Sequence, residues 1–230
     1  MTRMSTSRVH FQSEMQDLRL RIVEMASLVL NQIERATAAW ESADAAAAEV
    51  VIAGDDRIDE ACVELDQAIY RIQLLQAPVA SDLRLLHVGL IAVVALERVG
   101  DLAVAISELT RSVRPGDANP TIQAALSRMS AQAVDTLALA VQAIARSDAE
   151  LGKRARGQAT AVRQMLNELL DVVAAAEAQT GNRAWAAAAV LVGRHLERVA
   201  NNGGELGGRV SFIVTGEPFR RSPIRSVEAD

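Results

Sequence analysis

The sequence of 230 residues is poor in aromatic side chains, in cysteine and in long apolar runs. Phe, Trp and Tyr make up only 3% of the chain, which disfavours a core built from β-sheets. Cys62 is the only cysteine, so the chain has no internal disulfide and no cysteine-rich metal motif. The longest apolar runs reach about ten residues, whereas a membrane helix needs roughly 20.

The chain also has no excess of positive charge and no apparent targeting signal. Its 24 basic and 29 acidic residues give a formal charge of -5, whereas general nucleic-acid binding needs a basic face. Residues 1–7 are polar and lack the apolar core of a signal peptide. We therefore expect a soluble, cytoplasmic protein that spans no membrane and binds no nucleic acid.

Apolar residues are abundant, at half of the chain, and they recur at helical spacing. In the first helix they follow one another every three or four residues, as Met15, Leu18, Ile22, Met25, Val29 and Ile33. The pattern predicts an all-α fold in which three helices, a linker at 115–120 and three more helices follow in order. The predicted helices are 8–40, one that restarts at Ser42 or Asp44 and is interrupted at Gly54, 81–113, 121–146, 148–179 and 183–214.

A repeated block divides the chain into two similar halves. The sequence Leu-Glu-Arg-Val at residues 96–99 recurs at 196–199, after a similar apolar run in each case. In a helix, Glu97 and Asp101 lie on one face and repel each other by roughly 0.2–0.5 kcal/mol. The pair Asp55 and Asp59 has the same spacing. Water, an arginine or a bound cation must offset such repulsion.

The second half does not keep these carboxylates. Asn201 replaces Asp101, although Glu197 matches Glu97. Alignment of the two halves without gaps from residues 43 and 147 places Ala159 opposite Asp55 and Arg163 opposite Asp59. The second half therefore cannot build the same carboxylate cluster.

No other group of residues indicates catalysis. His10, His87 and His195 are scattered, no Glu-x-x-His di-iron motif occurs, and no serine or cysteine has a histidine at a recognisable spacing. The glycine-rich run at 203–208 has three interpretations: close approach of another helix, including one across a dimer, a break in the helix or flexible segment, or a phosphate-binding loop. The last is disfavoured because no strand precedes the run and no P-loop lysine follows it.

Four segments together resemble the PhoU family of bacterial phosphate-uptake regulators. They are Pro-Val-Ala-Ser-Asp-Leu-Arg at 78–84, Glu-Arg-Val-Gly-Asp at 97–101, Leu-Glu-Arg-Val at 196–199 and Arg-Val-Ser-Phe-Ile-Val-Thr-Gly-Glu at 209–217. Their order and spacing fit the family from about residue 10 to residue 217. The resemblance implies a tandem repeat of two three-helix bundles, made of six long antiparallel helices. The implied domains are 8–114 and 119–215, followed by a flexible tail at 216–230.

The resemblance also implies a non-enzymatic function and a set of partners. The expected role is regulation of phosphate uptake and of the phosphate-starvation response, as an adaptor between a phosphate-transporter ATPase and a sensor histidine kinase. Such a protein would act in the cytoplasm, peripheral to membrane complexes, and we expect a homodimer. The sequence does not distinguish a main phosphate regulator from a divergent paralogue.

Some family members bind metal through acidic pairs, and this gives the candidate site residues. The matching positions are Asp55, Asp59, Glu97 and Asp101 in the first repeat, with Glu197 alone as a weak match in the second. Carboxylates without histidine favour Fe, Mn or Mg. A solvated acidic face is the alternative interpretation of the same residues. The alternative functions are a metal-storage or metalloenzyme bundle and a purely structural bundle.

Overall fold

A computed structural model describes residues 2–76, 78–177 and 182–217, and all regular structure in these ranges is helical. The all-α prediction is therefore confirmed. The second predicted helix is interrupted at Gly54 and Asp55, so six predicted helices form seven segments in the described ranges. These are α1 (Thr2–Ser42), α2 (Ala45–Ala53), α3 (Asp56–Gln76), α4 (Ser81–Ser112), α5 (Pro120–Arg146), α6 (Ala149–Glu177) and α7 (Arg183–Thr215).

The first helix begins earlier than predicted, and two predictions near the ends of other helices fall on residues that the structure does not describe. Helix α1 begins at Thr2 rather than at residue 8, because residues 2–7 contain neither glycine nor proline to stop it. Gly216 ends α7 in a left-handed conformation with φ of 78°. The predicted tail at 216–230 lies outside the described residues from residue 218 onward. The predicted helix end at residue 179 also lies outside them.

Short polar side chains begin several of the helices. The carboxylate of Asp44 accepts a hydrogen bond of 2.9 Å from the backbone N–H of Ala47 at the start of α2. Asn119 and Asn182 cap α5 and α7 in the same way, and Asp148 accepts from two backbone N–H groups of α6. These caps fix the points at which each half begins its helices.

One apolar core extends through both halves. The predicted apolar face of α1 is fully buried from Leu18 to Ile33, with each of its five large side chains no more than 2% exposed. Helix α1 packs against α3 and α4 of its own half and also against α5, while α4 packs against α7. At the junction of the halves, Trp40 stacks on Trp185 with ring centroids 5.9 Å apart. The domain boundaries at 8–114 and 119–215 stay a prediction from the sequence repeat.

The glycine-rich run lies within an unbroken α7, so the predictions of a break or a loop are wrong. A Cβ atom added at Gly152 of α6 would lie 2.2 Å from the carbonyl oxygen of Gly207. Glycine at both positions is therefore required for the close approach of these two helices. The neighbouring helix belongs to the same chain.

No helix in residues 2–76, 78–177 and 182–217 is long and apolar enough to cross a membrane.

Candidate functional site

The interruption between α2 and α3 places the acidic residues of the first repeat beside α4. Asp55 lies in the turn between the two segments, and Asp59 lies one turn into α3. Glu97 and Asp101 occupy successive turns of α4. Helix α3 packs against α4, and the charges of Asp59 and Asp101 both raise the pKa values of Asp55 and Glu97.

A glycine on α4 makes room for the carboxylate of Asp55. A Cβ atom added at Gly100 would lie 3.1 Å from Oδ1 of Asp55 and 3.3 Å from the side chain of Ile58. Asp55 can therefore pack directly against the backbone of α4. The sequence repeat has alanine, Ala200, at the matching position of α7.

Gln32 of α1 supports Asp55 and was not predicted as a site residue. Its Nε2 donates a hydrogen bond of 2.9 Å to Oδ1 of Asp55 and a longer one of 3.4 Å to the carbonyl oxygen of Val51. Gln32 is only 8% exposed. A polar residue three positions after the buried Val29 was the available signal in the sequence, because such spacing lies on the buried face.

The surroundings favour the protonated forms of two of the four carboxyl groups. Burial raises the pKa of Asp55, and the charges of Asp59 and Asp101 raise it further, against the hydrogen bond from Gln32. Burial also raises the pKa of Glu97, with Asp101 and Asp59 adding to the effect and Arg98 opposing it. The first repeat therefore holds a set of carboxylates whose charges are incompletely compensated by the chain.

The four carboxylates have the donor chemistry of a hard-cation site, but they do not close around a single point. In the part of the chain that the structure describes, no three Asp, Glu, His or Cys side chains converge so that they could hold a metal ion. The fit to a metal therefore rests on the oxygen donors, their shared face and their mutual repulsion.

In the second repeat, Glu197 is surrounded by polar partners of the chain itself. Its side chain is 5% exposed, and Arg194 donates a hydrogen bond of 2.9 Å from Nη1 to its Oε2. Arg163 of α6 lies 3.7 Å from its Oε1, and Asn201 donates to the same oxygen. Sequence reasoning identified Arg163 only as a replacement for Asp59 and missed Arg194 altogether, although Arg194 is three residues from Glu197 and shares its helical face.

The three histidines lie in unrelated surroundings. His10 is close to Glu14, with 3.7 Å between the imidazole Nε2 and the carboxylate, and His87 packs edge-on against Phe212. Burial and the nearby Arg198 lower the pKa of His195.

An apolar stripe faces solvent on α3. Val63, Tyr70 and Leu74 are separated by seven and four residues, so they lie on one helical face. They are 57%, 66% and 69% exposed, respectively. Exposed apolar side chains on one helical face are typical of protein interaction surfaces.

These features define an all-α tandem-repeat bundle with carboxylates beside α4 in one repeat and an ion-pair network around a buried glutamate in the other. The PhoU domain model matches residues 22–110. Over 210 residues the chain is 31% identical to the Mycobacterium tuberculosis "Phosphate-specific transport system accessory protein PhoU homolog 1", covering 91% of this chain and 95% of that protein.

Two crystal structures have the same fold. PhoU from Pseudomonas aeruginosa superposes with a TM-score of 0.85 at 26% identity, over 90% of this chain and 100% of that one. The regulatory protein PhoU from Streptococcus pneumoniae gives a TM-score of 0.84 at 22% identity, over 90% of this chain and 98% of that one. The chain belongs to the PhoU family.

Proposed function

We propose that this protein is a non-enzymatic regulator of phosphate uptake and of the phosphate-starvation response. The observation that carries the proposal is family membership over 91% of the chain, shared with a relative named as an accessory protein of phosphate-specific transport. The absence of a catalytic motif from the sequence favours regulation over the metal-storage or metalloenzyme alternative. The site of action is the cytoplasmic side of a phosphate transporter.

The regulator acts as an adaptor between the transporter ATPase and a sensor histidine kinase. The apolar stripe of α3 supports docking of a protein partner, because Val63, Tyr70 and Leu74 have more than half of their surface exposed. Long helical faces also suit partners that dock along a helix. Homodimer formation is a further expectation, which light scattering of the purified protein would test.

The function is tested by deleting the gene and measuring uptake of labelled phosphate in phosphate-replete medium. We expect uptake to rise in the deletion strain and to return to the original rate when the chain is expressed again. Unchanged uptake, together with unchanged expression of phosphate-starvation genes, would contradict the proposed regulation.

The adaptor role is tested by binding of the purified chain to the purified transporter ATPase and to the sensor kinase. Leu74→Ser on α3 is expected to weaken binding to one of them. Leu191→Ser on α7 is the matched control, because Leu191 is also exposed, at 49%, but lies outside the stripe. Failure of both purified partners to bind the folded chain would contradict the adaptor role while leaving regulation of uptake open to the genetic test.

We further propose that the first repeat binds a hard or borderline divalent cation through Asp55, Asp59, Glu97 and Asp101. Three properties support this: only oxygen donors are present, Glu97 and Asp101 share one face of α4, and the pKa values of Asp55 and Glu97 are raised partly by their acidic neighbours. A bound Fe, Mn or Mg ion would neutralise these charges and join α3 to α4. Glu197 is left out of this site because arginines already contact it.

Thermal unfolding with and without Mn²⁺, Mg²⁺ or Fe²⁺ tests the cation proposal. At a cation concentration 100 times the dissociation constant, binding to the folded state raises stability by about 2.7 kcal/mol. We expect Glu97→Gln/Asp101→Asn to abolish the increase in Tm. Glu60→Gln/Glu108→Gln removes one exposed carboxylate from each of the same two helices and should preserve it. An equal response in both double variants, or none in the unmodified chain, would contradict cation binding here.

A further inference from the structure

The second repeat holds a polar cluster at three of the four positions that carry carboxylates in the first. Glu197 and Asn201 occupy the places of Glu97 and Asp101 on α7, one hundred residues later. Arg163 occupies the place of Asp59 on α6. The two clusters therefore share a location in the repeat and one glutamate, and they differ in the sign of the charge opposite that glutamate.

The contacts join Arg163 to both polar residues of α7. Its Nε lies 3.7 Å from Oε1 of Glu197, and its Nη2 donates a hydrogen bond of 3.3 Å to Oδ1 of Asn201. The amide of Asn201 in turn donates to Oε1 of Glu197. A single guanidinium group thus connects α6 to α7 through a network that includes the glutamate.

Arg194 completes the compensation from the other side. It donates a hydrogen bond of 2.9 Å to Oε2 of Glu197, so both carboxylate oxygens have a cationic partner within 4.0 Å. The glutamate is buried, at 5% side-chain exposure, whereas the two arginine side chains are 64% and 60% exposed. A buried carboxylate without such partners would be costly, because burial removes the water that stabilises its charge.

We propose that Arg163, with Arg194, is a built-in cation of the second repeat. The covalently attached guanidinium groups supply the positive charge that a bound cation would supply at the proposed site of the first repeat. The second repeat therefore joins its helices without a bound metal. Only the comparison with the first repeat rests on the proposed cation site there; the role of the arginines in the second repeat stands on the contacts of Glu197.

A double-variant cycle tests the internal compensation. Arg163→Ala/Arg194→Ala leaves Glu197 buried without its cationic partners, and we expect Tm to fall by roughly 5 °C or more. Adding Glu197→Gln removes the uncompensated charge and should restore at least half of that loss. Lys153→Ala is the matched control on α6: its ion pair with Glu150 is exposed on both sides, so Tm should change by less than about 2 °C.

A reciprocal exchange between the repeats tests the substitution of guanidinium for a bound cation. Asp59→Arg/Asp101→Asn gives the first repeat the residues of the second, and we expect a higher Tm in EDTA and a loss of the response to Mn²⁺. Arg163→Asp/Asn201→Asp makes the opposite change and should lower Tm in EDTA, with recovery on addition of Mn²⁺. The variant Arg163→Asn/Asn201→Ser also removes the guanidinium group but introduces no carboxylate. It distinguishes this outcome from general misfolding, because it should lower Tm without any recovery in Mn²⁺.

The outcomes separate this inference from the proposed cation site. If the unmodified chain does not respond to Mn²⁺ but the Glu197→Gln rescue occurs, the first-repeat site fails and the built-in cation stands. If Arg163→Ala/Arg194→Ala leaves Tm unchanged, or if Glu197→Gln gives no rescue, the inference is overturned whatever the first repeat binds.

Discussion

Helices α3 and α6 have the same place in the two repeats and differ in almost every property that determines contact with other molecules. Helix α6 runs unbroken through Gln158 and Ala159, whereas the matching residues of the first repeat, Gly54 and Asp55, form an interruption before α3. The exposed stripe Val63, Tyr70 and Leu74 of α3 corresponds to Asn167, Ala174 and residue 178 in the second repeat. At these matched positions the first repeat has acidic and apolar side chains that the second lacks.

The two repeats differ in how they compensate charged groups and in which apolar side chains they expose. In the second repeat, glycine contacts bring α6 close to α7, and arginines compensate the one buried glutamate. In the first, acidic residues raise one another's pKa and an apolar face is exposed to solvent. A duplicated fold permits this difference, because one repeat can stabilise the core while the other keeps side chains that contribute little to stability.

The largest difference between the two helices is expected from truncation of one leucine on each. Leu169 of α6 is 1% exposed, so Leu169→Ala should cost about 2–5 kcal/mol of the free energy of unfolding. Leu74 of α3 is 69% exposed, so Leu74→Ala should change that free energy by no more than about 0.5 kcal/mol. Chemical denaturation of both variants measures the two values. Similar losses would show that the stripe of α3 is packed in solution.

A smaller effect is expected where α6 approaches α7 most closely. A methyl group at residue 152 meets the carbonyl oxygen of Gly207 at 2.2 Å, so Gly152→Ala should cost about 1–3 kcal/mol by forcing the helices apart. Gly157→Ala on the same helix is the control, because no atom lies within 4 Å of the added Cβ. It should stabilise the protein by up to about 1 kcal/mol through helix propensity. Denaturation midpoints that fall equally for both variants would contradict close packing at residue 152.

Most of the fold follows from the sequence because the helices are long and their ends are marked by residues with specific roles. The apolar spacing from Leu18 to Ile33 predicted the buried face of α1, and Asp44 and Asn119 lie at helix starts as capping residues do. The sequence alone does not predict the conformation of the glycine-rich run, because four glycines weaken an isolated helix but allow close packing against a neighbouring one. The close contacts of Gly204 with Ala159 and of Gly207 with Gly152 and Ala155 on the opposing helix decide between these outcomes.

The candidate site was predictable as a set of acidic residues and not as a network. Spacing within one helix places Glu97 over Asp101, but it contains no information on which helix lies opposite. The contact of Gln32 with Asp55 spans 23 residues and that of Arg163 with Glu197 joins two helices, so both depend on tertiary packing. Alignment of the two repeats predicts one member of the second network, because it matches Arg163 with Asp59.

The smallest expected effect is a dependence of Tm on pH that comes from the first repeat. It tests whether the pKa values of the carboxyl groups of Asp55 and Glu97 are raised. The pKa values of Asp55 and Glu97 in the folded protein lie above their ordinary values of 3.8 and 4.5. The folded state therefore binds these protons more tightly than the unfolded state. The resulting stability is fully present below the ordinary values and is lost as pH rises through the raised values.

Asp55→Asn/Glu97→Gln removes this titration and keeps an oxygen of residue 55 to accept from Gln32. In EDTA, the Tm of the unmodified chain should fall relative to that of the variant as pH rises from about 4 to 7, because only the unmodified chain loses protons from these two groups. Glu60→Gln/Glu108→Gln is the control and should follow the unmodified chain through the same range. If the Tm of the unmodified chain and that of Asp55→Asn/Glu97→Gln change equally with pH, the first repeat compensates its carboxylates as fully as Arg163 and Arg194 compensate Glu197. The two repeats would then differ only in their packing.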